Sequence, residues 1–304
     1  MQTRILVPLD GSRLSEQALP YAMTLGQSLP AELVLLCAVS IPPDVQHALQ
    51  KAGLASDPLF EQLEIEASEY LEAMGHLLSK NDLSFSHVVL RGLAADAVVE
   101  YADQMDIQMI VMASHGYSAI ERWTHGSVAE RVLQSAPVPL LLVRAREEGS
   151  EAVPAAHACD RTLVPLDGSK LAEQVLPTII PIAKALGCEL TLFRVPVAYS
   201  AGPLTGRWYL PQNSSYETAD QDAQAYLERM ASSIREQGVT VSTVTRLGPV
   251  AKAIIDYAED NDIDLIAMCT HGRTGVARWA LGSVADRVLR AGDKPILLVR
   301  AGRG

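Results

Sequence analysis

Aromatic side chains are scarce in this chain, with three Phe, three Trp and nine Tyr among 304 residues. A core short of rings must rest on Val, Leu, Ile and Ala, whose burial supplies the hydrophobic driving force. Cysteine is scarce too. The four thiols, Cys37, Cys159, Cys188 and Cys269, include no C-x-x-C pair, as expected for reduced cysteines in a cytoplasmic protein. The seven histidines show no His-x3-His spacing, so no metal site is expected. Positive charge is in deficit, with 25 Lys and Arg against 36 Asp and Glu and a net charge of −11. Such a surface repels phosphate backbones and argues against a nucleic-acid partner. A small nucleotide is not excluded, because backbone N–H groups and helix N-termini bind anions locally. No apolar run reaches the ~18 residues of a transmembrane helix. The opening MQTRILVPLD also lacks the basic start, apolar stretch and cleavage site of a signal peptide. No membrane partner is expected.

What is present is one pattern written twice. LVPLDGS occurs at 6–12 and again at 163–169. SEQALP (15–20) matches AEQVLP (172–177), GSVAERVL (126–133) matches GSVADRVL (282–289), and LLVRA recurs at 141–145 and 297–301. Four matches in the same order define an internal repeat. The expected organisation is one domain over 1–145, a polar linker over 146–159 (REEGSEAVPAAHAC) and a second domain over 160–304.

Each half alternates short aliphatic runs with helical patterns. Strands are expected at Ile5–Leu9, Glu32–Val39, Phe85–Leu90, Ile107–Met112 and Pro139–Arg144. Their counterparts are Thr162–Leu166, Glu189–Val195, Val239–Thr245, Ile263–Met268 and Pro295–Arg300. The first helix should run to about Leu25 or Leu186, with Ser12 and Ser169 as N-caps and Gly26 and Gly187 as stops. Irregular stretches follow at Ser40–Asp57 and Pro196–Ser215. Longer helices are then expected at Pro58–Lys80 and Glu217–Gln237, and further ones at Ala94–Gln104, Pro249–Asn261, Ser127–Ser135 and Ser283–Ala291. Strands joined by helices form right-handed βαβ units and a parallel sheet. The near-continuous apolar strands fit a sheet covered on both faces. The fold class is therefore α/β, with two tandem Rossmann-like or flavodoxin-like domains, each a five-stranded parallel sheet between helices. Ligands in such folds bind at the carboxyl ends of the strands, where strand order reverses.

Three segments should meet at that edge. Pro8 and Asp10, with their twins Pro165 and Asp167, end strand one. The aspartates are suited either to accept hydrogen bonds from a ribose hydroxyl or an adenine amine, or to close an Asx-turn on nearby backbone. Val39 and Val195 end strand two, where backbone groups can read an adenine edge. After strand four come Ala113-Ser114-His115-Gly116 and Cys269-Thr270-His271-Gly272. Nine residues later the helices open on Gly126-Ser127-Val128 and Gly282-Ser283-Val284. A glycine after the strand and a Gly-Ser helix start make a phosphate cradle. They are equally what two turn glycines and an N-cap serine would look like. The second half adds Arg273, Thr274 and Gly275, where the first has Tyr117, Ser118 and Ala119. Arg122 and Arg278 occupy matching positions. No G-x4-G-K-[ST] and no G-x-G-x-x-G is present, so the usual apparatus of ATP hydrolysis is missing.

On these residues the chain resembles the universal stress protein family in its tandem form. The resemblance covers essentially the whole chain. The family's adenine-nucleotide motif is G-x2-G-x9-G-[ST]. Gly116, Gly126 and Ser127 match its last three positions, as do Gly272, Gly282 and Ser283, while Ala113 and Cys269 replace the first glycine. The resemblance implies a stress-response protein that binds ATP, with or without Mg2+, or AMP or ADP. Pro8, Asp10 and Val39 would surround one adenosine and Pro165, Asp167 and Val195 the other. It also implies a pseudo-dimer within one chain, closing strands paired antiparallel between the domains, or a homodimer, together with a protein partner of unknown identity. Two other functions fit the same residues. One is a scaffold of this fold with vestigial sites. The other is a slow ATPase, although no general base stands at a defined spacing and His115 and His271 have no Ser and Asp arranged for acyl transfer. The richer second loop places the tighter site in the second half.

Overall fold

The computed structural model describes residues 3–115, 127–145, 159–196, 213–270 and 281–300. The chain divides into two compact units, Met1–Ala158 and Cys159–Gly304. Residues 146–158 of the expected linker lie outside the described residues, as do 197–212.

The first unit runs β1 (Thr3–Pro8), α1 (Arg13–Glu16), α2 (Leu19–Ser28), β2 (Ala31–Val39), α3 (Pro43–Lys51), α4 (Asp57–Ser79), β3 (Phe85–Arg91), α5 (Ala94–Gln104), β4 (Met109–His115), α6 (Ser127–Ser135) and β5 (Leu140–Ala145). The second runs β6 (Arg161–Pro165), α7 (Lys170–Glu173), α8 (Leu176–Leu186), β7 (Glu189–Arg194), α9 (Asn213–Arg235), β8 (Val241–Thr245), α10 (Val250–Asp260), β9 (Leu265–Cys269), α11 (Ser283–Ala291) and β10 (Ile296–Val299). Within the first unit the strand order is β3-β2-β1-β4-β5, and within the second it is β8-β7-β6-β9-β10. Neighbours inside each unit pair in parallel. This is the Rossmann order, and strand order reverses between β1 and β4 and between β6 and β9.

Right-handed crossovers put α2 and α4 on one face of the first sheet and α5 and α6 on the other. The strands between them are buried on both sides. Ile5, Leu6 and Val7 are fully covered, as are Leu33, Val34 and Leu35. In the second unit Leu163, Val164, Leu190 and Leu192 repeat this. With few rings available, the core consists of aliphatic strands under alanine-rich helix faces such as Ala95, Ala97, Val98 and Ala102 of α5.

Several local expectations change. The first helix of each unit is two pieces, broken just before Pro20 and Pro177, which sit in the first turn of α2 and α8. Proline is accepted there because a first-turn N–H has no intrahelical partner. Gly26 is not a helix stop. It lies inside α2, and a Cβ on it would come within 3.0 Å of Leu83 and 3.2 Å of Leu33, so it is small for packing. Gly187 does end its helix, as a left-handed C-cap with φ 70°. Ser40–Asp57 is not irregular throughout, since α3 occupies Pro43–Lys51 with no buried residue. Its prolines fall at the helix start rather than inside. β4 runs on through Ala113, Ser114 and His115, which the aliphatic pattern placed beyond the strand.

Candidate functional site

The carboxyl ends of β1 and β6 turn on the same local chemistry. Leu9 N–H donates to the Leu36 carbonyl at 2.8 Å, and Leu166 N–H to Phe193 at 2.8 Å, so pairing with the neighbouring strand continues past the proline. The chain then leaves the sheet. Asp10 Oδ1 accepts from Ser12 N–H at 3.0 Å and from Ser12 Oγ at 2.6 Å. Asp167 Oδ1 accepts from Ser169 N–H at 2.9 Å. Both aspartates therefore close Asx-turns. Gly11 and Gly168 carry the turn at φ 80° and 87°, in the left-handed region that favours glycine. Ser12 and Ser169 cap the following helices, accepting from Ser15 N–H at 3.1 Å and Ala172 N–H at 3.2 Å.

Behind each turn stands a tyrosine–glutamate pair. Tyr70 donates to Glu16 at 3.0 Å and Tyr226 to Glu173 at 3.1 Å. Burial, followed by the glutamate's charge, raises both phenols above their ordinary value.

The two edges differ in one position that the sequence reading did not single out. Pro8 pairs with Leu36 and Pro165 with Phe193. One residue further along lie Cys37 and Arg194. Cys37 is buried; burial and then the Asp10 charge raise its thiol. Arg194 is half-buried, with its guanidinium 4.7 Å over the Tyr226 ring. A Cβ on Gly168 would lie 2.9 Å from its Nη2. The same register puts Val195 two residues past the proline's partner and Val39 three, so the two valines are not equivalent; Ala38 is the counterpart of Val195. Direct alignment of FRV with LCA at an offset of 157 would have found this.

At the far side of the switch point, β4 brings Ala113 and Ser114, both buried, to the edge. His115 is the last residue of β4, and Ser127 and Val128 open α6. In the second unit Cys269 ends β9 beside β6. Its thiol is raised to about 12 by burial and also by the Asp167 charge. Thr270 N–H donates to Val299 at 2.9 Å, and the Thr270 carbonyl accepts from Gly282 N–H at 2.7 Å. The end of β9 and the start of α11 are thus hydrogen-bonded. Gly282, not Ser283, is the N-cap of α11, with no side-chain capping bond. Ser283 is the first helical residue and is exposed, and Val284 is half-buried. A glycine N-cap leaves the first-turn N–H groups and the helix dipole to face whatever lies at the edge.

Gly116, Gly126, His271, Gly272, Arg273, Thr274 and Gly275 lie outside the described residues, as do Arg122 and Arg278. Among the described residues no group of three His, Cys, Asp or Glu is placed to hold a metal ion. No described helix is long and apolar enough to cross a membrane.

A model of the universal stress protein family matches residues 1–144 and 159–300. A universal stress protein of Methanocaldococcus jannaschii is 33% identical over 142 residues, which is 46% of this chain and 81% of that protein. A universal stress protein of Synechocystis sp. is 23% identical and aligns with 97% of this chain and 99% of its own length. The crystal structure of a universal stress protein from Archaeoglobus fulgidus matches with a TM-score of 0.74 at 22% identity, covering 98% of both chains. At that identity the structural likeness speaks for the fold.

Proposed function

The chain belongs to the universal stress protein family, and from that premise we propose that it binds an adenine nucleotide, ATP first among them, and acts in stress responses through nucleotide-dependent conformation or partner binding. The observation that carries this reading is the start of α11. Gly282 N–H is bonded to the Thr270 carbonyl at 2.7 Å, and the helix opens on a glycine without a side-chain cap. An anion placed there gains from the helix dipole about 0.3–2 kcal/mol, according to burial. The Asp167 turn stands on the adjoining strand, at the point where strand order reverses. The nucleoside would lie toward Pro165, Asp167 and Val195, and the phosphates toward Gly272, Arg273, Gly282 and Ser283. Pro8, Asp10, Gly116, Gly126 and Ser127 would hold a second, weaker site.

Calorimetric titration of ATP into the parent chain, Gly282→Val and Gly126→Val tests this. The expected result is at least a tenfold loss of the tighter affinity from Gly282→Val and little change in it from Gly126→Val. Equal losses would remove the ranking of the sites, and no heat of binding in the parent would remove the nucleotide.

One observation favours a second reading, a scaffold without nucleotide. Both aspartates already serve Asx-turns, the local role that needs no ligand. A thermal melt separates the two, because a ligand at 100 times its Kd adds about 2.7 kcal/mol of stability. An ATP-independent melting temperature would favour the scaffold.

A further inference from the structure

The turn after strand one is the same in both units, but what covers it is not. Around Gly11, no described residue other than its chain neighbours Asp10 and Ser12 has an atom within 4 Å of where a Cβ would stand. Above Gly168 the corresponding space holds the Arg194 guanidinium, with Nη2, Cζ and Nη1 at 2.9, 3.1 and 3.2 Å. The same guanidinium lies 4.7 Å over the Tyr226 ring. Tyr226 is itself fixed by its hydrogen bond to Glu173. A planar cation packed on an aromatic face and against a backbone turn is a rigid arrangement, because the guanidinium plane stacks in one orientation where a compact ammonium is free to turn. The charges of Arg194 and Asp167 both reach the Tyr226 phenol, with opposite effect. Asp167 is half-buried, whereas Asp10 is exposed. The first unit keeps the tyrosine–glutamate support, Tyr70 on Glu16, but has the neutral Cys37 in place of the arginine.

Resting on the nucleotide reading given above, we propose that Arg194 is a positioning residue that fixes the Asp167 turn, so that the carboxylate accepts a hydrogen bond from a donor of the bound nucleoside. The donor is either a ribose hydroxyl or the adenine amino group. Arg194 acts through the turn and not on the phosphates, which lie toward α11. The first unit, lacking this clamp, discriminates less between nucleosides.

The experiment measures selectivity rather than affinity alone. ATP, 2′,3′-dideoxy-ATP (no ribose hydroxyls) and ITP (no 6-amino group) are titrated into Gly126→Val protein with and without Arg194→Cys, which imports the first unit's residue. With Arg194 present, one analogue should bind at least tenfold more weakly than ATP, and that analogue identifies the donor. With Arg194→Cys, ATP affinity should fall toward that of the same analogue, while the analogue's own affinity changes less than twofold. Arg194→Lys, which keeps the charge but not the planar stack, should recover only part of the gap. A uniform loss for all three ligands would mean general damage to the site and would overturn the proposal, as would an unchanged selectivity ratio. Failure of the parent chain to bind ATP at all would overturn the nucleotide reading and this proposal together. Binding with unchanged selectivity overturns this proposal alone.

Discussion

Two copies of one turn, Asp10-Gly11-Ser12 and Asp167-Gly168-Ser169, show how far a duplication preserves local structure and where it stops. Backbone, glycine conformation, Asx-turn and helix cap are the same in both. The differences are in the second layer: a buried thiol beside one turn and a stacked guanidinium on the other. Local hydrogen bonding sets the turn, so it survives changes around it. The charge and cover over the turn come from a neighbouring strand, and one substitution there changes them.

The largest expected difference between the units is at alkaline pH. Burial holds the Cys159 and Cys269 thiols at about 12 and also raises Cys188; in the first unit Cys37 is the one raised thiol. The tyrosines are matched, Tyr70 against Tyr226, and cancel. A folded state that keeps a proton its unfolded chain would lose at about pH 8.5 is destabilised as pH rises above that value, until the folded group titrates. Each such thiol should cost about 1.4 kcal/mol per pH unit in that window. Urea unfolding at pH 8 and pH 10.5 should therefore show a much smaller pH loss in Cys159→Ala/Cys269→Ala protein than in Cys37→Ala protein. Equal pH losses in the two variants would contradict this asymmetry.

A smaller effect comes from a volume exchange between the units. Gly75 of α4 is buried, and a Cβ there would overlap the Phe85 ring. The counterparts in the second unit are Ala231 and Val241, with the larger residue on the helix and the smaller on the strand. Gly75→Ala should destabilise by about 2–3 kcal/mol through overpacking. Adding Phe85→Val should restore most of that loss in a double-mutant cycle. Additive effects would mean that the helix and strand residues do not share the volume.

The smallest difference concerns the caps. Ser12→Ala and Ser169→Ala should each cost about 1 kcal/mol. The cost should be a few tenths greater at Ser12, whose hydroxyl also donates to Asp10 at 2.6 Å. Denaturant midpoints of the two variants measure this, and a greater loss at Ser169 would reverse the order.

Much of the fold was legible because its signals are local or periodic. The helices at Ala94–Gln104, Ser127–Ser135 and Ser283–Ala291 fall where the pattern placed them. Misreadings arose where a residue has two physical uses. Gly26 looks like a stop but is a packing glycine, and the prolines of Ser40–Asp57 look like a loop but start α3. Ser283 resembles an N-cap, yet the cap is Gly282. At the carboxyl edge of the sheet, the turns of Asp10 and Asp167 were legible from their repeated motif. Arg194 could not be found in this way, because a side chain reaching from β7 over the β6 turn leaves no local pattern.

By itself, the sequence determined the duplication and the alternation of strands and helices, and it narrowed each aspartate to a ligand contact or an Asx-turn, since each of these depends on neighbours a few residues away. The tertiary structure decided what those elements meet. It joined Gly282 to Thr270 across twelve positions of sequence, set Cys269 within the field of Asp167, and laid Arg194 on Gly168 in one unit while leaving Cys37 in its place in the other. Register between parallel strands fixes those meetings, and register is a property of the assembled sheet.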